Sequence, residues 1–304
     1  MPMNVETHLA LGLDQPCPIE VNGRSNSEII ASLTAPGDAP YHPCPEAYSR
    51  EEVPAGTVTK FSDWQETQIF AGTTREMWAY VPPGAGDSSP VIIFNDGAGY
   101  LGRKGHIRAT IVLDNLLAAG QIEPTIAVFI NPGTAADPDD TRIGPDQRSY
   151  EYDSVTPVFG HFLISEALPY IENELGITFT TDPTRRSVCG ISSGGICAFN
   201  VAWHHPQSFA RVLSHCGSYT NIRGGHNFPY LIRSTERKDI RVYLQSGEQD
   251  ASILLGDWPL ANQSMAKALE YAGYDYHFAF GTGGHSLRHG GALFADSLRW
   301  LSRS

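Results

Sequence analysis

The chain has 304 residues, 41% of them hydrophobic, which is enough for a sizeable core in one large α/β domain or in a domain with an extension. Its formal net charge is −12 and it has no cluster of five or six basic residues, which argues against binding to nucleic acid or to an anionic membrane. Because it also lacks a leader-like start and any run near the roughly 18 apolar residues of a membrane helix, we expect a soluble, cytoplasmic protein with a small-molecule partner.

The cysteines predict neither a disulfide framework nor a metal site. There are five of them, an odd number, and no two form a C-x-x-C pair. We therefore expect each to be a small buried side chain. The five are Cys17, Cys44, Cys189, Cys197 and Cys216.

The first 55 residues differ in composition from the rest of the chain. They contain eight prolines and one candidate helix, the stretch SEIIASL. This segment is too short and too rich in proline for a second domain, so we predict a proline-rich N-terminal extension over 1–55 and a single main domain over 56–304.

The main domain alternates strand and helix patterns. A strand pair is predicted at residues 66–69 and 77–82, and six apolar runs follow, most of which end at glycine: VIIFNDG, TIAVFINPG, SVCG, RVLSHCG, VYLQSG and HFAFG. Helical patterns lie between them and end at Gly120, Gly176 and Gly273. The α/β alternation predicts a mostly parallel eight-stranded sheet with helices on both faces.

Residues 190–194, Gly-Ile-Ser-Ser-Gly, match the pattern G-x-S-x-G. The motif follows the short apolar run SVC and opens a helical pattern, as a nucleophile elbow requires. Glycines on either side allow a serine to stand exposed on a strained turn. We predict that Ser192 is a nucleophile; the plainer interpretation is a glycine-rich turn that caps a helix.

A serine nucleophile needs a base, and the base is usually a histidine oriented by a carboxylate. In such a sheet the chain order is serine, acid, histidine. His285 follows the last predicted strand in a glycine-rich loop and is our predicted base, with His289 as the alternative. Asp250 follows the seventh strand and is the predicted acid, with Glu248 and Asp257 as alternatives.

Acyl transfer places negative charge on the substrate oxygen, and two backbone N–H groups commonly bind it. One belongs to the residue after the nucleophile, here Ser193, and the other to the loop after the third strand. In the stretch NDGAGYLG we predict Ala98, with Gly97 and Gly99 as its neighbours.

An ordered set of stretches, from VIIFNDGAGYL and CGISSGG to VYLQSGEQD, GTGGHS and HGGALFADSLRWL, resembles the putative-esterase family of α/β-hydrolases, which includes enterochelin-esterase-like, feruloyl esterase and esterase D-like proteins. The resemblance covers about residues 60–304. It implies an α/β-hydrolase catalytic domain over 56–304, a triad of Ser192, Asp250 and His285, an oxyanion hole at Ala98 and Ser193, and no cofactor or metal.

Residues in the long connections are candidates for the substrate pocket, because such loops shape pockets in this kind of sheet. These candidates are Tyr100, Arg148, Tyr150, His226 and Trp258. The acidic stretch ADPDDTRIGPDQ lacks the spacing of a calcium loop.

The sequence thus predicts a serine esterase acting on a small ester. Two alternatives remain open, an acyltransferase with the same triad and a non-catalytic ligand-binding protein on the same scaffold. The oligomeric state, including a homo-oligomer, also stays open.

Overall fold

The computed structural model describes residues 20–21, 24–33, 35–140, 143–144 and 146–303. Within this part of the chain, the main sheet has nine strands. Eight of them form a continuous series, and the two-residue strand Thr134–Ala135 pairs with the second of these at one side. The eight are β1 (Thr57–Trp64), β2 (Thr73–Val81), β3 (Val91–Asn95), β4 (Ile126–Ile130), β5 (Arg186–Ile191), β6 (Arg211–His215), β7 (Arg241–Gln249) and β8 (Asp275–Gly284).

The spatial order of the strands is β8-β7-β6-β5-β3-β4-β2-β1. The six strands from β3 to β8 run parallel to one another, whereas β2 is antiparallel to both of its neighbours, β4 and β1. Every residue of β3 and β4 is buried, as expected for central strands covered on both faces. The predicted mostly parallel sheet is confirmed, and all six parallel strands end at the same edge.

Helices cover both faces and bury two apolar clusters. The five helices between residues 158 and 271 pack on one face, while the helices at residues 109–118 and 294–302 pack on the other. The predicted helices ending near Gly120, Gly176 and Gly273 are present. The helices are α1 (Asn26–Ala31), α2 (Gly97–Leu101), α3 (Ala109–Ala118), α4 (Gln147–Asp153), α5 (Val158–Phe162), α6 (Leu168–Leu175), α7 (Ser193–His204), α8 (Phe228–Ser234), α9 (Trp258–Tyr271), α10 (Leu287–Ala292) and α11 (Phe294–Ser302); a π-helical turn, Leu163–Ala167, joins α5 to α6.

The predicted strand at residues 66–69 is wrong. The partner of β2 is β1, whose side chains are mostly exposed and so lack the apolar pattern of a buried strand. Residues 66–69 form a turn because the Glu166 carboxylate accepts hydrogen bonds from their backbone N–H groups. Its Oε1 accepts hydrogen bonds from the backbone N–H of Gln68 (3.0 Å) and Ile69 (3.1 Å), so these groups are not available to a strand.

The proline-rich N-terminal segment meets the main sheet through its second half. Two short 3₁₀ turns, Pro36–Asp38 and Pro45–Ala47, lie against the body, and Cys44 and Ala47 join the apolar cluster under α3 and α11. Residues 1–19, with Cys17, lie outside the described residues. Within the described part of the chain, no helix combines the length and apolarity needed to cross a membrane.

Candidate active site

The predicted nucleophile, acid and base lie together at the carboxyl edge of the sheet. Ser192 directly follows β5, Asp250 follows β7 and His285 follows β8. These three strands are parallel and close to one another in the sheet, with only β6 between β5 and β7. Residues far apart in sequence therefore meet because their strands end at one place.

The turn at Ser192 is strained in the way that the motif predicts. Its φ is 59° and its ψ is −122°, a conformation that residues with a side chain rarely adopt. The two glycines make the turn sterically feasible. A Cβ on Gly190 would lie 2.2 Å from the carbonyl oxygen of Gly194, and a Cβ on Gly194 would lie 2.9 Å from Asp96 Oδ2.

Two hydrogen bonds join the three side chains. Nδ1 of His285 lies 2.5 Å from Oδ1 of Asp250, and Nε2 lies 2.9 Å from Oγ of Ser192. A carboxylate can only accept, so Nδ1 carries the proton and Nε2 is free to accept from the Ser192 hydroxyl. The arrangement can therefore take the serine proton in one step.

Asp250 is itself held in place. It is 6% exposed, and it accepts hydrogen bonds from the Ser246 hydroxyl (2.7 Å) and from the Ala251 N–H (2.8 Å). The additional donors satisfy the lone pairs of the carboxylate that His285 does not use. This fixes the carboxylate plane relative to the imidazole.

The alternative acids and base lie elsewhere. The ring of His289 is buried, bonds to the Gln245 side chain (3.0 Å) and stacks on Tyr41. Glu248 is exposed, and Asp257 caps α9 by accepting from the Leu260 N–H (2.9 Å). Of these candidates, only Asp250 and His285 bond to each other, and only His285 bonds to Ser192.

Sequence reasoning missed Ser218. Its hydroxyl lies 3.2 Å from Ser192 Oγ and accepts a hydrogen bond from Trp258 Nε1 at 3.3 Å. Because the Ser192 proton goes to His285, the Ser218 proton must point toward Ser192. The chain of donors runs from Trp258 through Ser218 to Ser192 and His285. No motif marks Ser218, which lies in a loop after β6.

The predicted oxyanion donors differ in their surroundings. Ser193 is the first residue of α7, so its N–H has no partner within the helix. The Ala98 N–H donates to Oδ1 of Asn131 at 3.1 Å. A substrate oxygen at this place would therefore share the Ala98 N–H with Asn131 or displace the Asn131 side chain.

Arg148 reaches the site from α4. It forms two hydrogen bonds with the Asp96 carboxylate (2.8 and 2.7 Å), and its third nitrogen donates to the Ser193 hydroxyl (3.0 Å). The side chain is 39% exposed, so it remains accessible to a ligand. Nearby, burial raises the pKa of the Asp153 carboxyl to about 6, although the charge of Arg148 opposes this shift.

Two of the five predicted substrate contacts are buried in this structure. Neither Tyr100 nor Trp258 exposes its side chain at the surface. The Tyr100 hydroxyl bonds to Nδ1 of His215 (2.8 Å), while Trp258 packs edge-on against His285 with its ring centre 5.6 Å away. Both residues are large aromatics that serve as supports beneath the site.

The other predicted contacts are accessible. His226 is exposed in the turn Gly225–Asn227, and Tyr150 is 50% exposed. Tyr150 lines a cavity of about 460 Å³ together with Phe70 and Arg223, and Ser192 is not among the lining residues. The guanidinium of Arg223 lies 5.5 Å from the Tyr150 ring centre.

Cys216 is the residue at this edge that could join a metal-binding group. Its Sγ lies within 4.8 Å of ligand atoms of Asp250 and His285. Burial raises the pKa of the Cys216 thiol well above its usual value, so the thiol stays protonated, whereas metals bind the thiolate. Asp250 and His285 are also already bonded to each other, and the donor set does not fit a metal ion.

Comparison with known proteins gives a consistent result. The model of the family described as "Putative esterase" matches residues 71–301. The iron(III) enterobactin esterase of Dickeya dadantii (strain 3937) is 27% identical over 257 residues, which cover 79% of this chain and 54% of that protein. The chain thus spans about half the length of this curated relative.

Solved structures support the fold. The enterobactin esterase FES from Shigella flexneri in the presence of enterobactin has a TM-score of 0.65 at 20% identity, over 86% of this chain and 61% of that one. The CE1 ferulic acid esterase AmCE1/Fae1A from Anaeromyces mucronatus has a TM-score of 0.64 at 18% identity, over 88% and 97%. The predicted α/β-hydrolase fold is confirmed.

Proposed function

This chain belongs to the Putative esterase family, and from that premise we propose that it is a serine hydrolase which cleaves a carboxylic ester through an acyl-enzyme at Ser192. The observation that carries the proposal is the pair of hydrogen bonds that links Asp250 to His285 (2.5 Å) and His285 to Ser192 (2.9 Å). The strained turn at Ser192 supports it further, because such strain is typical of functional sites.

In the first half of the reaction, Ser192 Oγ attacks the ester carbonyl carbon while its proton moves to Nε2 of His285. The imidazolium that forms is stabilised by the Asp250 carboxylate on the other side of the ring. Nε2 then gives the proton to the leaving alkoxide, and the C–O bond of the ester breaks. An alcohol leaves, and the acyl group stays on Ser192.

In the second half, water attacks the acyl carbon and Nε2 takes one of its protons. The bond to Ser192 Oγ breaks as the proton returns to the serine, and a carboxylic acid is released. In both halves the carbonyl oxygen becomes negative, and the N–H groups of Ser193 and Ala98 are the proposed donors to it. An alcohol in place of water would make the same chain an acyltransferase, which product analysis distinguishes.

The comparisons and the accessible residues of the site indicate which esters to test first. The relatives carry names of esterases for enterobactin and for ferulic acid, so aromatic acyl esters are the first substrates to test. Arg148 and Tyr150 are accessible on α4 and are the proposed contacts for such a group. Because the chain spans about half of the curated relative, enterobactin itself is tested beside smaller aryl esters.

The first experiment is labelling with a fluorophosphonate, followed by intact-protein mass. We expect one adduct on the wild type and none on Ser192→Ala or His285→Ala, because the reagent reacts with an activated serine. The matched control is Ser165→Ala, which removes an exposed serine outside the site and should keep the adduct. A folded wild type without an adduct, or an adduct that persists in Ser192→Ala, would rule the proposal out.

A further inference from the structure

The N-terminal segment lies directly on the end of β8. We call residues 35–41 the arm, and the end of β8 against which it packs is the glycine-rich run 281–284. A Cβ on Gly284 would lie 2.2 Å from the Cβ of Ala35, and one on Gly281 would lie 2.2 Å from the Tyr41 hydroxyl oxygen. The glycines of this run therefore leave the room that the arm occupies.

The arm and the strand also approach closely from the other side. A Cβ on Gly37 would lie 2.0 Å from the backbone oxygen of Thr282. Two polar contacts hold Gly37 in place: its N–H donates to Oε1 of Gln249 (2.8 Å), and its carbonyl accepts from the Thr282 hydroxyl (2.9 Å). Because Gln249 directly precedes Asp250, the arm touches the chain next to both the acid and the base.

Asp38 makes the contacts nearest to the base. Its Oδ1 accepts a hydrogen bond from the Gly284 N–H (2.9 Å), and its Oδ2 accepts from the Ser286 hydroxyl (2.7 Å). Gly284 and Ser286 are the two residues that flank His285. Asp38 is 9% exposed, so one largely buried carboxylate holds the backbone before the base and the serine side chain after it.

The Ser286 hydroxyl has a second partner. It accepts a hydrogen bond from the Arg288 N–H (3.1 Å) at the start of α10. Since its own proton goes to Asp38 and its oxygen accepts from Arg288, these two contacts fix the rotation of the hydroxyl. Asp38 thus sets the orientation of the loop and of the helix that follows.

We propose that Asp38 is a positioning residue for His285, and this inference rests on the proposed hydrolase function. Hydrogen bonds to an ionised carboxylate are stronger than those between neutral groups, and a small shift of a catalytic side chain can reduce the rate about 100-fold. By holding Gly284 and Ser286, Asp38 keeps Nε2 of His285 at 2.9 Å from Ser192 Oγ. Asp38 does not contact the reacting atoms.

The test compares three variants of the full chain. Asp38→Ala removes both contacts, and Asp38→Asn keeps an acceptor for the Gly284 N–H but removes the charge. The control is Tyr41→Phe, which loses the acceptor for the Thr282 N–H (3.1 Å) while its ring can still stack on His289. This control loosens the same arm on the same strand without touching the residues that flank His285.

Three readouts are taken for each variant: kcat and KM on an aryl ester, the rate of fluorophosphonate labelling, and the low-field NMR resonance of the His285 Nδ1 proton. For Asp38→Ala we expect kcat and the labelling rate to fall about tenfold or more, with KM within about twofold and the Nδ1 resonance shifted or lost. Asp38→Asn should fall between Asp38→Ala and the wild type, and Tyr41→Phe should match the wild type.

The outcomes separate the two proposals. If the wild type labels and Asp38→Ala labels equally fast with an unchanged Nδ1 resonance, the positioning role is wrong and the hydrolase proposal stands. If Tyr41→Phe loses as much activity as Asp38→Ala, the arm is merely structural and the inference also fails. If the wild type does not label, the hydrolase proposal fails, and the Nδ1 resonance still decides whether Asp38 positions His285. Should Asp38→Ala not fold, Asp38→Asn and Ser286→Ala provide the same comparison.

Discussion

Ser192 and His285 share a hydrogen bond, yet the chain holds them by different means. Ser192 is fixed mainly by its own neighbours, because the turn is strained and Gly190 packs against Gly194; one further hydrogen bond runs from the Ser192 N–H to the His215 carbonyl (2.9 Å). His285 is fixed from a distance, because the carboxylate that holds its flanking residues comes from 246 residues earlier in the chain.

The difference explains which half of the site a sequence can reveal. A turn that depends on adjacent residues requires particular residue types at fixed spacing, and G-x-S-x-G is the pattern that the turn at Ser192 requires. A contact from a distant segment produces no such motif, since Asp38 is an ordinary acid in a proline-rich stretch. The two halves should therefore also respond differently to substitution.

The largest expected effects come from a matched pair of glycine substitutions. In Gly190→Ala the new methyl group would lie 2.2 Å from a backbone oxygen within the elbow, which cannot move without loss of the turn. We expect destabilisation by about 3 kcal/mol or more, and more than about 100-fold loss of activity. In Gly284→Ala the methyl group meets the side chain of Ala35, and the arm can move away.

For Gly284→Ala we therefore expect a small change in Tm and a fall in kcat similar to that of Asp38→Ala. Thermal unfolding by circular dichroism and kcat on an aryl ester check both variants. The comparison between local and distant constraint breaks down if Gly284→Ala unfolds as readily as Gly190→Ala, or if Gly190→Ala remains fully active.

The serine half should also carry a pH dependence of stability. Burial raises the folded-state pKa of Asp153 to about 6, whereas an unfolded aspartate titrates near 3.9. Between these two values the folded protein binds more protons, so this group lowers the free energy of unfolding as pH rises from about 4 to about 6. The contribution is about 3 kcal/mol at most.

Asp153→Asn should remove this pH dependence. Between pH 4 and pH 7 the unfolding free energy of the wild type should therefore fall relative to that of the variant. Urea unfolding at both pH values measures it. Asp139→Asn, in an exposed loop, is the control and should leave the pH dependence as it is. Parallel curves for the wild type and Asp153→Asn would contradict the raised pKa.

The smallest expected effect concerns the Ser218 hydroxyl. Ser218→Ala removes the donor to Ser192 and leaves the buried Trp258 N–H without an acceptor. We expect kcat to fall less than tenfold and stability to fall by about 1–2 kcal/mol, the usual penalty for an unsatisfied buried donor. In a Trp258→Phe background, Ser218→Ala should cost less stability than in the wild type, because no buried indole N–H is then left without an acceptor. Unfolding in urea and kcat separate the two effects.

Much of the fold and the core of the candidate site could be predicted, because both depend on short-range patterns. The runs of β3 and β4 are apolar throughout, and the three residues linked by hydrogen bonds follow strand ends in the predicted order. The exposed strand β1 was missed because its residues lack that pattern.

Other misses have a three-dimensional cause. Tyr100 and Trp258 lie next to motif residues, and only the packing shows that both are buried. Ser218 gains its contact because the loop after β6 folds back toward Ser192, which no spacing indicates. These roles depend on contacts between residues that are distant along the chain.

The contact between Asp38 and Gly284 has a consequence for how the protein is made. Synthesis runs from the amino terminus, so the arm leaves the ribosome long before β8 exists. Until residue 284 has been added, the Asp38 carboxylate has neither of the two partners that it binds in the finished molecule. We expect the arm to dock late in folding, and the geometry of His285 to be completed only then. A nascent chain that stops before β8 would lack both the base and the surface that receives the arm.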